Sequence, residues 1–290
     1  MRPQLLPTPR TSALVALFLL CAPTSAWAQT PGTPPSTAAA HTSLQDDPGR
    51  KRLRVNVPVD LSVTLGGGAV WILSEVLKPT LAPSQCHWCD PPGVDSSVRD
   101  SLRWKNKSPA DTTSYVTGFA LAPIGALGLD ALAVHAGGGT AAEWGEDALV
   151  MLESIVVAAN INQLVKFAVG RERPFVNALQ EGEKDGTRQP SDNNLSFFSG
   201  HTTLAFSAAV SGGMIASLKG YKSAPCIWAT GLVAATATGY LRIAADKHYF
   251  TDVLTGAVFG TAVGLVVPWL HRPSNDGNAN AHGLRATGLS

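Results

Sequence analysis

Apolar residues in this chain gather into long runs with few polar interruptions, and they do not alternate as half-buried strands do. The pattern predicts six helices, over Leu61–Leu77, Ser114–Ala136, Ala142–Ala168, His201–Leu218, Ile227–Ala244 and Thr251–Leu270. Lys78-Pro79 ends the first, Gly137–Thr140 breaks the second, and Lys219-Gly-Tyr-Lys222 turns the chain after the fourth. The third carries Glu153, Asn160, Asn162 and Gln163 on the way to Lys166, groups that are costly in lipid unless they face neighbours or water. No pair of strand-like segments with turn signals stands out, so the expected fold is all-α, a single bundle of about six helices.

Two stretches between the runs read as loops. Thr80–Asp111 holds Cys86-His-Trp-Cys89, Pro91-Pro92-Gly93 and a charged patch from Arg99 to Lys107. Arg171–Phe198 is polar, and loops of that length inside a domain are usually functional. It is expected to act as a lid, with Gln180–Phe198 shaping the mouth of a site; a plain surface loop is the alternative. At the N-terminus, Arg2 and Arg10 precede an apolar stretch, Ala13–Ala22, and Ala26-Trp27-Ala28 offers small residues for cleavage. The expected organisation is a signal peptide over 1–28, a flexible linker over 29–55, a helical domain over 56–272 with its motif core at 150–270, and a disordered tail over 273–290. An uncleaved anchor is the alternative to cleavage. Export implies an oxidising compartment, where Cys86 and Cys89 are expected to pair locally. One CxxC without a second pair of ligands does not make a zinc site, and Cys226 reads as a small core residue.

Composition narrows the class. The chain has 22 basic and 21 acidic residues, a net charge of +1, so no global field draws it to nucleic acid. Charged residues make up 15% against a usual ~25%, which leans toward tightly packed helices in a membrane. Val253–Leu270 is uncharged and would reach roughly 27 Å as a helix, close to a hydrocarbon core. Location in the inner membrane with a periplasm-facing site is expected, a soluble periplasmic protein being the alternative. A cleaved signal leaves the mature N-terminus outside, so an outward site needs an even number of spans before Lys166. That would leave the first helix on the surface. The basic turn at Lys219 and Lys222 suits the cytoplasmic side.

Three polar motifs carry the candidate chemistry: Lys166-Phe-Ala-Val-Gly-Arg-Glu-Arg173-Pro174, Ser199-Gly200-His201 at a helix start, and Arg242 followed by His248 and Asp252. A helix N-terminus favours anions, and a histidine beside it suggests a nucleophile at a phosphate pocket. Lys166 precedes Arg173 by seven residues, Arg242 precedes His248 by six, and His248 precedes Asp252 by four. In order and spacing these resemble the signature of the type 2 phosphatidic acid phosphatase / vanadium haloperoxidase superfamily, over roughly 150–270. Phe198 stands where the family usually has Pro, and Leu241 where it often has Ser.

The resemblance implies that His201 is the nucleophile, forming a phosphohistidine, and that His248 is the general acid and then the base. Lys166, Arg173, Ser199, Gly200 and Arg242 would bind the phosphate. Lys166 and Arg173 lie two helical turns apart, so one helix face could carry both. Asp252, at i+4 from His248, could accept the other imidazole N–H and fix the tautomer, with Asp246 as a rival. Imidazole titrates near ~6.5, which poises both histidines for neutral or mildly acidic work. Arg171 and Glu172 are expected to be solvated. His41, His87, His135, His271 and His282 lack company, no carboxylate–histidine cluster for a metal is legible, and no cofactor is implied. The expected function is a metal-independent phosphatase of the cell envelope acting on monoesters or diphosphates of lipids, such as phosphatidic acid, phosphatidylglycerol phosphate or isoprenyl diphosphate. Alternatives are a soluble acid phosphatase or phosphotransferase, a vanadium haloperoxidase, and a non-catalytic phosphate-binding membrane protein. The expected partners are a phosphorylated lipid or small phosphate ester and the membrane; the oligomeric state is not legible.

Overall fold

The computed structural model describes residues 51–273. The signal peptide, most of the linker and almost all of the tail lie outside the described residues. The last residues of the expected linker do not behave as one: Leu53 is buried in the core, and the Arg54 N–H donates to the His271 carbonyl at 2.8 Å.

Among the described residues the secondary structure is all-α, with one isolated bridge between Trp88 and Arg171. The elements are α1 (Val57–Val76), α2 (Lys78–Leu81), α3 (Gly93–Leu102), α4 (Ser108–Tyr115), a π-helical turn (Val116–Leu121), α5 (Ala122–Ala136), α6 (Ala141–Val169), α7 (Pro174–Asn177), α8 (Gly200–Lys219), α9 (Ala224–Ala244) and α10 (Phe250–Leu270). The six expected long helices are present, with ends shifted by a few residues. Local chemistry sets those ends. Asn56 caps α1 by accepting from the Val59 N–H, while Asp60 accepts from the Asn56 N–H at 2.8 Å. Thr140 caps α6, which stops at Gly170 in the left-handed conformation, φ 57°.

The first expected loop is partly helical, through α3 and the start of α4. Its charged patch converges on one buried carboxylate: Asp246 accepts from Arg99 Nε at 2.6 Å and from Lys107 Nζ at 2.5 Å. Asp246 is therefore committed to those cations and not to His248. Cys86 and Cys89 form the expected disulfide. Cys226 is half-buried on α9 and is not a core residue.

α8 is the central helix, buried along most of its length. Gly256, Gly260 and Gly264 of α10 face it at four-residue spacing. A Cβ on Gly256 would lie 2.8 Å from the Ser199 carbonyl oxygen, and one on Gly264 2.9 Å from that of Ser207, so the two backbones touch directly. This contact sets α10, and with it Asp252, against the start of α8.

The long helices alternate in direction. α1 and α6 are parallel neighbours: Asn160 Nδ2 donates to the Gly67 carbonyl at 2.9 Å, and eight residues on, Gln163 Nε2 donates to Glu75 at 2.9 Å. α1 thus lies along α6 over most of its length, not across the end of the bundle as the surface-helix expectation had it. Contacts at the termini define two ends. One gathers 77–107, 170–199 and 245–249, joined by Lys78–Asp192, the Trp104 N–H to the Ala244 carbonyl, and Arg242–Asp111. The other gathers 51–56, 137–140, 220–223 and 271–273, joined by the Arg54–His271 bond and the Lys219–Asp147 pair.

Four segments are long and apolar enough to cross a membrane: Val57–Val76, Ser108–Ala136, Ala141–Val169 and Phe250–Leu270. Their outward faces carry exposed apolar side chains, among them Leu65, Ile124, Leu164 and Val258. A water-soluble surface would bury or replace them, whereas lipid accepts them.

Candidate active site

The first wall of the site comes from α6. Asn162 and Lys166 are four residues apart, on one helix face. The helix ends at Gly170, so Arg173 does not share that face; it arrives on an extended turn. There the Arg173 N–H donates to the Asn193 carbonyl at 2.8 Å. Its guanidinium donates from Nε to the Asp192 carbonyl at 2.8 Å and from Nη1 to the Lys247 carbonyl at 3.1 Å, and Nη1 lies 3.3 Å from His248 Nε2.

The second wall is the start of α8. A Cβ on Gly200 would lie 2.9 Å from Asn162 Oδ1 and 3.2 Å from Lys166 Nζ, so only glycine lets this backbone approach the lysine. Asn162 Nδ2 donates to the Phe198 carbonyl at 2.7 Å and ties α6 to the turn before α8. His201 is 8% exposed. Tyr115 and Phe119, from the π-helical turn and the residue before it, meet its ring edge-to-face, each at 4.5 Å between centroids. His201 Nε2 is buried and makes no hydrogen bond within the described protein.

The third wall is the end of α9 and the turn after it. Arg242 is buried; its Nη1 donates to Asp111 at 2.9 Å and to Ser114 at 3.0 Å, and its Nε has no protein acceptor. Lys166, Arg173, Gly200, His201, Arg242 and His248 line one cavity of about 630 Å³, and Trp71, Tyr115, Phe119 and Leu204 are also among its lining.

Ser199 and Asp252 do not line this cavity. The Ser199 hydroxyl pairs with that of Thr202 at 2.9 Å, and its N–H donates to the Asp252 carbonyl at 3.0 Å. His248 Nδ1 lies 2.8 Å from the Ser196 carbonyl and 3.6 Å from Asp252 Oδ2, so the Ser196 carbonyl is the acceptor that orients the ring. The bond leaves Nε2 facing the cavity and Arg173. The Asp252 carboxylate instead accepts from Ser196 Oγ at 2.6 Å, the Tyr249 N–H at 2.8 Å and Arg171 Nη1 at 2.5 Å.

Arg171 overturns the expectation of a solvated charge. It is 1% exposed, bonded to Asp252 and to Asp95 at 2.6 Å, and stacked between Trp88 at 3.9 Å and Tyr249 at 4.4 Å. Glu172 is buried too, accepting from Lys184 Nζ at 2.8 Å. The loop 171–198 forms short helical turns held by such bonds, and its Phe175, Arg188, Gln189 and Asp192 line the cavity.

The electrostatics follow from burial and cation density. Burial, then Arg173, Arg242 and Lys166, push His248 well below the usual histidine range. Burial opposes ionisation of Asp192, yet Arg173, Lys78 and Lys166 outweigh it and hold its carboxyl down at about 2. Sequence reasoning missed Asp192, Asp111, Tyr115 and Arg171 at this site. Only Asn162 left a signal, one turn before Lys166.

A buried imidazole at a helix start, facing a cavity whose lining includes Lys166, Arg173 and Arg242, is an arrangement suited to an anion. The family model of the PAP2 superfamily matches residues 147–276, the part of the chain that holds every motif residue from Lys166 to Asp252. A crystal structure described as that of the first transmembrane PAP2 type phosphatidylglycerolphosphate phosphatase from Bacillus subtilis is similar at 18% identity, covering 72% of this chain and 96% of that chain with a TM-score of 0.46. No curated protein matches the chain. The superfamily segment and the four apolar helices together support a membrane protein of a phosphatase family.

Proposed function

We propose that the protein hydrolyses lipid phosphate monoesters or diphosphates through a phosphohistidine formed on His201. The observation that carries this reading is the unpartnered His201 Nε2 in a cavity walled by Lys166, Arg173 and Arg242. In the reaction Nε2 attacks phosphorus and the bond to the leaving oxygen breaks. The three cations and the Gly200 N–H balance the charge on the phosphoryl oxygens. His248 Nε2–H gives its proton to the leaving oxygen, then takes one from the water that splits the phosphohistidine. With this charge supplied by side chains, the step needs no divalent ion. Trp71, Tyr115, Phe119 and Leu204 on the cavity wall suit an acyl or prenyl chain.

The test is phosphate release by protein in detergent with EDTA, on phosphatidic acid, undecaprenyl diphosphate and para-nitrophenyl phosphate, with and without vanadate. Release from the lipids that survives EDTA and is blocked by vanadate is expected. Activity on the small ester alone would favour the acid phosphatase reading. Peroxide-dependent halide oxidation after vanadate loading, without release, would favour a haloperoxidase. His248 sits below the usual ~6.5 and must be protonated to act as acid. kcat/KM should therefore fall as pH rises, with its limb below about 6.5, while kcat, measured with the phosphate anion bound, should hold to higher pH. A limb that persists in the residual activity of His248→Ala would assign it to the substrate instead.

Helix direction constrains the orientation proposed here. The cavity and residues 51–56 lie at opposite ends of the bundle, so a cleaved signal would turn the cavity toward the cytoplasm. We place the cavity outside, with Lys51, Arg52, Arg54, Lys219, Lys222 and Arg272 on the cytoplasmic side. In that orientation the N-terminal apolar segment does not carry residue 51 across. A fluorescent protein fused after residue 273 should then fold in the cytoplasm, and a tag in 181–186 should be labelled from outside. The reverse pattern would restore the cleaved signal and an inward site.

A further inference from the structure

At the end of the bundle opposite the cavity, the fold joins three residues that no sequence spacing connects. Asp60 comes from the first turn of α1, Glu153 from the middle of α6, and His271 from the C-terminus of α10. This overturns the expectations that His271 lacks company and that no carboxylate–histidine cluster exists. One ligand atom from each lies within 4.8 Å of the others. His271 Nε2 is 3.5 Å from Asp60 Oδ2 and 3.7 Å from Glu153 Oε2.

Three features point to a cation. First, His271 Nδ1 is 2.8 Å from the Val267 carbonyl, an acceptor only, so Nδ1 carries the proton. A backbone carbonyl on the far nitrogen is the usual way a ligating histidine is oriented, and it aims Nε2 at the carboxylates. Second, Glu153 Oε2 is buried and has no hydrogen-bond donor, a costly state for a carboxylate oxygen unless something positive meets it. Third, the separations exceed those of good N–H···O bonds, roughly 2.7–3.2 Å. Donors placed roughly 2.0–2.2 Å from a tetrahedral ion stand roughly 3.3–3.6 Å apart; the His271–Asp60 separation falls in that range and the His271–Glu153 separation just beyond it, so a small side-chain adjustment would close the set on an ion. Two carboxylates and a neutral imidazole carry two negative charges, which a divalent ion balances, and the N/O donor set suits zinc.

We propose that Asp60, Glu153 and His271 form a structural divalent-cation site, with zinc its preferred ion, that clips α1 to α6 and α10. The ion stands apart from the phosphate chemistry and serves the packing of the N-terminal approach, where Arg54 already bonds to the His271 carbonyl. The site does not depend on the phosphatase reading.

The test uses the full chain in detergent, stripped with chelator and titrated with zinc, followed by metal analysis and thermal unfolding. Near-stoichiometric retention of zinc is expected, together with a rise in the unfolding midpoint of about 2–4 °C. His271→Gln and Glu153→Gln should lose both effects and keep phosphate release in EDTA. His201→Ala should keep both, which separates this site from the cavity. Wild-type protein that retains no zinc and shows no shift would overturn the proposal, and that result needs no variant to fold. Equal zinc binding by wild type and both glutamine variants would overturn it as well.

Discussion

Replacing His201 with alanine should abolish turnover while the protein stays folded. The ring makes no hydrogen bond through Nε2, so its removal orphans no buried partner there. What is lost is the edge contact with Tyr115 and Phe119, a packing term of about 1 kcal/mol for the pair interactions. The chemical loss is of another order: removing a nucleophile that works with an acid–base partner costs on the order of 10⁴-fold or more in kcat. Phosphate release and the unfolding midpoint, measured on the same preparation, separate the two effects. A wild-type rate in His201→Ala would sink the nucleophile assignment. A rate lost together with the fold would show instead that the ring supports the cluster of Tyr115, Phe119 and α8.

Arg171→Met should be the most destabilising single change at the site, although Arg171 does not line the cavity. Asp95 and Asp252 are fully buried and share this one guanidinium. Its removal leaves two carboxylates in low dielectric, and breaking such a pair costs roughly 3–5 kcal/mol. The expected readout is a large fall in unfolding midpoint and in the yield of folded protein. Arg171→Met,Asp95→Asn should recover part of it, because one uncompensated charge is gone. The same network orients the catalytic turn: Asp252 holds Ser196, and the Ser196 carbonyl holds the His248 ring. Folded Arg171→Met protein should therefore also lose kcat with little change in KM. A midpoint equal to wild type would mean that the carboxylates find other partners and that the buried pair contributes little.

These two residues show how far local sequence reaches. The place of His201 at a helix start was legible because it is written in neighbours: a glycine before it, an apolar run after it and a helix N-terminus at the junction. Arg171 was misread for the same reason. In its own neighbourhood it is one charge beside Glu172 and Arg173, and such runs are usually solvated. Its partners come from Asp95 and Asp252, 76 and 81 residues away, and its stacking faces from Trp88 and Tyr249. Asp246 repeats the lesson. Its place two residues before His248 made it a rival for the imidazole, but the fold delivers Arg99 and Lys107 to it first.

The sequence by itself determined the helices and the motif residues. Helical hydrogen bonds close within four residues, so apolar runs, caps and breakers are read locally. It also singled out Lys166, Arg173, Gly200, His201, Arg242 and His248, which the fold brings to one cavity, because their types and spacings are local patterns. Only the tertiary structure decided the rest: that Ser196, not Asp252, orients His248; that α1 runs parallel to α6, which puts residues 51–56 at the end opposite the cavity; and that Asp60, Glu153 and His271 meet. Each of these depends on contacts between helices far apart in the chain. Such contacts are set by close packing, as where the glycines of α10 bring its backbone onto α8, and no spacing along one segment encodes them.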